Sequence, residues 1–211
     1  MQTAQQRHYI FGYGSLINSI SRTVTGETGV ATAVKISGIS RHWSRISEDF
    51  GMSSVVVVED SQGQCNGVIV EVPEAELVHF DERERGYQRM LVDAKNVEFY
   101  DQNNAIDLQS DSNNSAKIWL YQSDKVVNPC TNHPVVFSYL DVILSGCLEY
   151  SAAFCDDFIE HTQGWQHAML NDRDTPRYPR VQPALDTDVL NRYISLKAPL
   201  AETAITAGYP A

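Results

Sequence analysis

Short apolar runs set off by clusters of turn-forming residues fill the first 120 positions, and helical spacing takes over after them. Residues 8–11 (HYIF) are aromatic or β-branched and run into a glycine-rich turn, as a strand would. Over residues 29–41 small or apolar side chains alternate with polar ones, which predicts a strand buried on one face. Residues 52–58 include the unbroken run Val55 to Val58, the mark of a strand covered on both faces. Residues 65–72 (CNGVIVEV) read as its hairpin partner, joined to it through Asp60-Ser61-Gln62-Gly63.

Pro73 followed by Glu74 and Glu76 predicts a helix start, because proline fits the first helical turn and acids suit the positive end of the helix dipole. That helix passes through Leu77 and Phe80 and stops at Gly86. Residues 88–99 and 117–121 read as further strands, with an exposed loop over 101–115, which is rich in Asn, Asp, Ser and Gln. From Pro134 to about Tyr150, the residues Val135, Tyr139, Val142, Ile143 and Cys147 recur near helical spacing and predict a core-facing stripe. A second helix follows over 152–162, with Phe154, Phe158 and Ile159 on one side. After Trp165 the periodicity fades, and an extended appendage with a short helix near Leu190 is expected. Strands first and helices later indicate the α+β class: a small mixed, mostly antiparallel β-barrel with flanking helices. The expected organisation is one domain over 1–164, with 165–211 packed on it.

A chain of 211 residues that is 43% hydrophobic can support its own core. Its formal charge of -11 makes a nucleic-acid partner a poor expectation, since phosphate binding needs clustered basic residues. No apolar run reaches the length of a membrane span, so no membrane partner and a cytoplasmic location are expected. Cys65, Cys130, Cys147 and Cys155 form no C-x-x-C pair and are expected to be reduced. Cys130-Thr131-Asn132-His133 is only half of a metal site, so no metal is expected. The oligomeric state stays open.

Two stretches carry candidate chemistry. Gly12-Tyr13-Gly14 can bend the chain so that backbone N–H groups face an anion or a developing oxyanion, although an ordinary turn has the same composition. Neither the Rossmann spacing nor a P-loop lysine follows it, which removes the two common nucleotide signatures. The second stretch is Asp81 to Tyr87. With Phe80 turned inward, Glu84 lies four residues on at the edge of the same helix face, where a half-buried carboxylate can serve as general acid and base. A solvated charged face, with Arg83 and Arg85 as partners, is the alternative.

Together, Tyr13-Gly14-Ser15-Leu16 and the later Phe80-Asp81-Glu82-Arg83-Glu84, followed by Gly86-Tyr87, resemble the γ-glutamylcyclotransferase superfamily, with its ChaC and AIG2-like branches. Phe80 replaces the usual leucine of L-D-x-x-E, and the motifs look closest to ChaC, although Asn18 stands where ChaC proteins tend to have tryptophan. The resemblance covers roughly the first 150 residues. It implies a cofactor-independent enzyme acting on a small γ-glutamyl substrate, which cyclises to 5-oxoproline and releases an amine or peptide. Glutathione is the first candidate, and other γ-glutamyl amino acids or amines are the alternative. A non-catalytic ligand-binding module is the rival from another class. By the same resemblance Glu84 moves the proton, beside an apolar wall that lifts its carboxyl above the usual carboxylate range. The amides of Gly14, Ser15 and Leu16 hold the glutamyl part. Tyr13 lines the pocket or packs in the core, and Tyr87 orients Glu84 or is simply buried. Arg41 meets a substrate carboxylate or forms a salt bridge at a strand end. Arg173, Arg177 and Arg180 form a lid or pair with surface acids.

Overall fold

Two long strands organise the molecule. In the computed structural model, which describes residues 6–24, 28–45, 51–108, 116–178, 181 and 186–196, β2 (Ala31–Arg45) pairs antiparallel with β3 (Ser53–Val72). The expected hairpin within 52–72 does not form. Both halves of β3 pair with β2, Ser53 to Glu59 against Ile39 to Arg45 and Gln64 to Val70 against Ala31 to Ser37. Asp60 to Gly63 is looped out between them, opposite Gly38, whose φ of +90° lets β2 bend there. The Asp60 carboxylate accepts from the Gln62 N–H at 3.1 Å, so turn-forming residues serve a bulge as readily as a hairpin end.

β1 (His8–Gly12) pairs antiparallel with the second half of β3 and parallel with the later strand at Lys117–Gln122. The strand expected over 88–99 is two strands, β4 (Gln88–Val92) and β5 (Val97–Phe99), and with β6 (Lys117–Gln122) they complete the order β4-β6-β1-β3-β2-β5. β4 and β5 thus occupy opposite ends of the sheet, although only the short turn capped by Asp93 separates them. Five peptide steps reach at most about 18 Å, so the sheet is curled until its edges approach each other. The result is a half-barrel with Tyr9, Phe11, Val34, Ile36, Val57, Ile69 and Ile118 inside.

Short strands β7 (Val135–Val136), β8 (Thr162–Gln163) and β9 (Met169–Leu170) lengthen the sheet on its other side. Among the described residues five helices surround it: α1 (Ser19–Thr23), α2 (Leu77–Arg83), α3 (Phe137–Leu148), α4 (Ala152–Glu160) and α5 (Thr187–Ser195). α3 is buried on nearly every side; Leu140, Ile143 and Leu144 pack against Trp43, Val55, Phe154 and Phe158 in the larger core. α5 adds Leu190 and Ile194 to the same core. Part of the 101–115 loop and all of 197–211 lie outside the described residues. Among the described residues no helix is long and apolar enough to cross a membrane.

His8 is buried in β1, where Nδ1 accepts from the Trp119 indole at 3.0 Å and Nε2 finds no hydrogen-bond partner among the described residues. Burial lowers the pKa of His8, and of His42, below the usual 6.5. The unfolded chain therefore takes up protons that the folded chain resists, and stability falls as pH drops below that value. The urea midpoint should decrease between about pH 7.5 and about pH 5.5, and decrease less in His8→Phe. An equal decrease in that variant would clear His8 of the effect.

Candidate active site

Close packing shapes the loop that follows β1. A Cβ on Gly12 would come within 2.6 Å of the Leu16 Cβ, and one on Gly14 within 2.9 Å of both the Tyr139 hydroxyl and a Val55 methyl. The chain then makes a 3-10 turn over Ser15–Ile17, in which the Ile17 N–H donates to Gly14 O at 2.9 Å. The opening N–H groups of such a turn have no partner within it. Among the described residues nothing accepts from the N–H groups of Gly14, Ser15 or Leu16. The Arg22 guanidinium, by contrast, takes the carbonyls of Leu16 and Ile17 at 2.9 and 2.6 Å. Asn18 fixes the far end of the turn by capping α1 and donating to Ser145 of α3 at 3.0 Å.

Glu84 sits at the C-terminal end of α2. Its N–H closes the last turn on Phe80 O at 2.9 Å, and Gly86, with φ +95°, turns the chain away. Phe80 is buried against Ile10, Leu77 and Tyr121, which leaves Glu84 half-buried at the helix edge. Glu84 and the loop residues Tyr13, Gly14, Ser15 and Leu16 line one cavity of about 350 Å³, together with Tyr87. Tyr121, Tyr139 and Tyr178 line it as well, beside Met52, Ser54 and Val55 at the start of β3, and Arg85 borders it.

The tyrosines set the electrostatics. Burial pushes the Tyr13, Tyr87 and Tyr139 hydroxyls above their usual value, and the Glu84 carboxylate pushes all three further. They stay protonated at neutral pH, and Tyr87 and Tyr139 are available as neutral donors near that carboxylate. A hydrogen bond from Ser54 opposes the shift at Tyr87, and one from the Val55 backbone opposes it at Tyr139. Tyr13 itself donates to Tyr121 O at 2.7 Å, and the Tyr121 hydroxyl donates to Asp81 at 2.8 Å.

Arg41 needs correcting. It is fully buried, does not line the cavity, and spends its N–H groups on Thr162, Asn66, Phe158 O and Tyr13 O. Of the three C-terminal arginines, Arg173 grips Asp141 through two hydrogen bonds, at 2.6 and 2.7 Å, and Arg177 donates to Gly51 O. Arg180 lies outside the described residues. Among the described residues no three His, Cys, Asp or Glu side chains gather as metal ligands.

Sequence reasoning passed over Ser54 and Tyr178 and read Tyr139 as core only. Helical spacing told that Tyr139 faces inward but not that its hydroxyl reaches a cavity. Tyr178 has no local signal; it stands in the wall because Asp172, buried beside α3, accepts from Ser138 N, Ser138 Oγ and Arg177 N at 2.8, 2.6 and 2.7 Å. From there the Tyr178 ring meets Tyr139 edge-on at 4.8 Å. Asp172→Asn removes an acceptor from this knot and should cost about 1 kcal/mol in urea unfolding, with faster proteolysis near residue 178. Unchanged proteolysis would show that the knot does not hold the segment.

No protein-family model and no curated protein matches the sequence. Among solved structures the fold is similar to a γ-glutamyl cyclotransferase, at 13% identity and a TM-score of 0.54, over 72% of this chain and 86% of that one. It is similar as well to an uncharacterized protein from Homo sapiens, at 13% identity and a TM-score of 0.55, over 73% and 87% of the two chains. YkqA from Bacillus subtilis, at 19% identity and a TM-score of 0.50, matches 74% of this chain with 54% of its own. The half-barrel with flanking helices is thus the fold seen in that γ-glutamyl cyclotransferase.

Proposed function

We propose that the protein is a γ-glutamylcyclotransferase. One observation carries this reading: Glu84 and the residues Gly14, Ser15 and Leu16, whose amides have no acceptor among the described residues, line the same small, tyrosine-rich cavity. A volume of about 350 Å³ suits a small molecule. In the reaction, Glu84 takes a proton from the glutamyl α-ammonium, and the freed nitrogen attacks the γ-carbonyl carbon of the same molecule. The attacking nitrogen then sheds its second surplus proton, the C–N bond to the leaving group breaks, and Glu84 passes the two protons in turn to the departing nitrogen, which leaves as an ammonium while the lactam keeps one N–H. The products are 5-oxoproline and a free amine or peptide, with atoms and charge balanced and no cofactor consumed. Because nucleophile and electrophile belong to one molecule, the main task of the site is to hold the near-attack conformer, where orientation is worth up to about 7–11 kcal/mol. Loop amides hold the glutamyl end, and the neutral hydroxyls of Tyr87 and Tyr139 are placed to fix the group around Glu84.

Glutathione, which would release Cys-Gly, is the first substrate to try, followed by other γ-glutamyl amino acids and γ-glutamyl amines. Incubation with this panel and measurement of 5-oxoproline tests the reading. Product from at least one member is expected. No turnover of any member would overturn it.

A further inference from the structure

Arg41 is the largest charged group that the structure buries completely. All five of its N–H bonds are used. Nε donates to Thr162 Oγ1 at 2.8 Å, Nη1 to Tyr13 O and Asn66 O at 3.1 and 2.7 Å, and Nη2 to Asn66 Oδ1 and Phe158 O at 2.6 and 3.4 Å. The guanidinium lies 3.9 Å from the centre of the Phe158 ring. No carboxylate among the described residues pairs with it. Its acceptors are neutral, and two of them, Phe158 O and Thr162, stand at the C-terminal end of α4, where the helix dipole favours a cation. They satisfy its hydrogen bonds and leave its net charge in place. Burying a charge in this way is costly, and an apolar side chain of similar volume would fill the space at less cost.

One acceptor gives the charge a use. Tyr13 O belongs to the peptide unit whose N–H is that of Gly14. In a trans peptide the C=O and N–H point in opposite directions, so a carbonyl turned back onto Arg41 turns the Gly14 N–H towards the cavity that Gly14 lines. Drawing on the carbonyl also strengthens the N–H as a donor. The positive charge lies one peptide unit behind three amides that have no acceptor among the described residues, and a carboxylate is one of the anions such amides take.

We infer that Arg41 is a positioning residue that aims the Gly14 amide and charges the loop from behind, so that Gly14 to Leu16 bind the glutamyl α-carboxylate. The inference rests on the proposed reaction for its ligand. The carboxylate is charged in substrate and product alike, so the effect falls on ground-state binding, and KM should rise more than kcat falls when the charge is lost.

The test uses the product. Calorimetric binding of 5-oxoproline and of its uncharged primary amide is compared in the wild type, Arg41→Lys, Arg41→Met and Asn66→Asp. Asn66→Asp keeps the guanidinium and its packing and sets a carboxylate against Nη2, at the cost of the Asn66 Nδ2 bond to Phe154 O. The wild type should favour the acid by about tenfold, the scale of one charge-assisted hydrogen bond. Arg41→Lys should keep most of that preference, whereas Arg41→Met and Asn66→Asp should lose it. A merely structural Arg41 would lower stability in all three variants and leave the ratio alone. Should Arg41→Met fail to fold, Asn66→Asp decides. A wild type that binds acid and amide equally, or an Asn66→Asp protein with the preference intact, overturns the inference. Charge-dependent acid binding without turnover of any γ-glutamyl substrate would sink the proposed reaction and leave this assignment standing. Turnover with a charge-independent ratio would do the reverse.

Discussion

Glu84→Gln should lower 5-oxoproline formation by about 100- to 10,000-fold, the usual contribution of a positioned general acid and base, while the protein stays folded. Glutamine keeps the shape of the side chain, and the backbone N–H that closes α2 on Phe80 O is untouched. What disappears is the proton acceptor, so kcat should carry most of the loss. The cavity offers no evident replacement, because burial keeps Tyr13, Tyr87 and Tyr139 protonated. Full activity in Glu84→Gln would remove the carboxylate from the mechanism.

The α+β class and the order of strands and helices were legible in the sequence because they depend on local periodicity. α3 and α4 lie close to where Val135 to Cys147 and Phe154 to Ile159 placed them. The pairing of strands was not legible. Asp60 to Gly63 has the composition of a hairpin end, and only the continuity of β2 opposite makes it a bulge. Residues 88–99 read as one strand because both halves are apolar and alternating. Their division between opposite edges follows from the curl of the whole sheet, a property of no single segment. The site divides in the same way. The turn at Gly14 and the helix-end position of Glu84 follow from spacing and glycine placement, but Arg41 was misread, since sequence marks a charge without saying which side of a loop it stands on. Tyr178 arrives from the C-terminal segment through the Asp172 contacts, a tertiary event with no local trace.

Gly146→Ala, in the last turn of α3 and outside the cavity lining, should impair both stability and activity. Helix propensity alone predicts the opposite, since alanine is favoured over glycine in a helix interior by about 1 kcal/mol. The new methyl, however, would stand 2.5 Å from both the N and the Cα of Asn18. These are backbone atoms, so no side-chain rotation relieves the contact, and one of the two segments has to move by about 1 Å to restore normal separation. α3 is packed on nearly every side, which leaves the turn carrying Asn18 as the part that gives way. Overpacking of this kind costs about 1–3 kcal/mol and should outweigh the propensity gain. Asn18 is hydrogen-bonded by its N–H to Ser15 O at 3.1 Å, so its displacement carries Ser15 and Leu16 with it and moves their amides off the glutamyl group. A misplacement on that scale can cost about 100-fold in rate. Ser145→Ala is the control: it removes the Asn18 hydrogen bond at 3.0 Å without adding volume, and should lower stability by about 1 kcal/mol with a much smaller loss of rate. Urea unfolding and 5-oxoproline release, measured on both variants, separate the two effects. A Gly146→Ala protein as stable and as active as the wild type would show that α3 does not hold the turn in register.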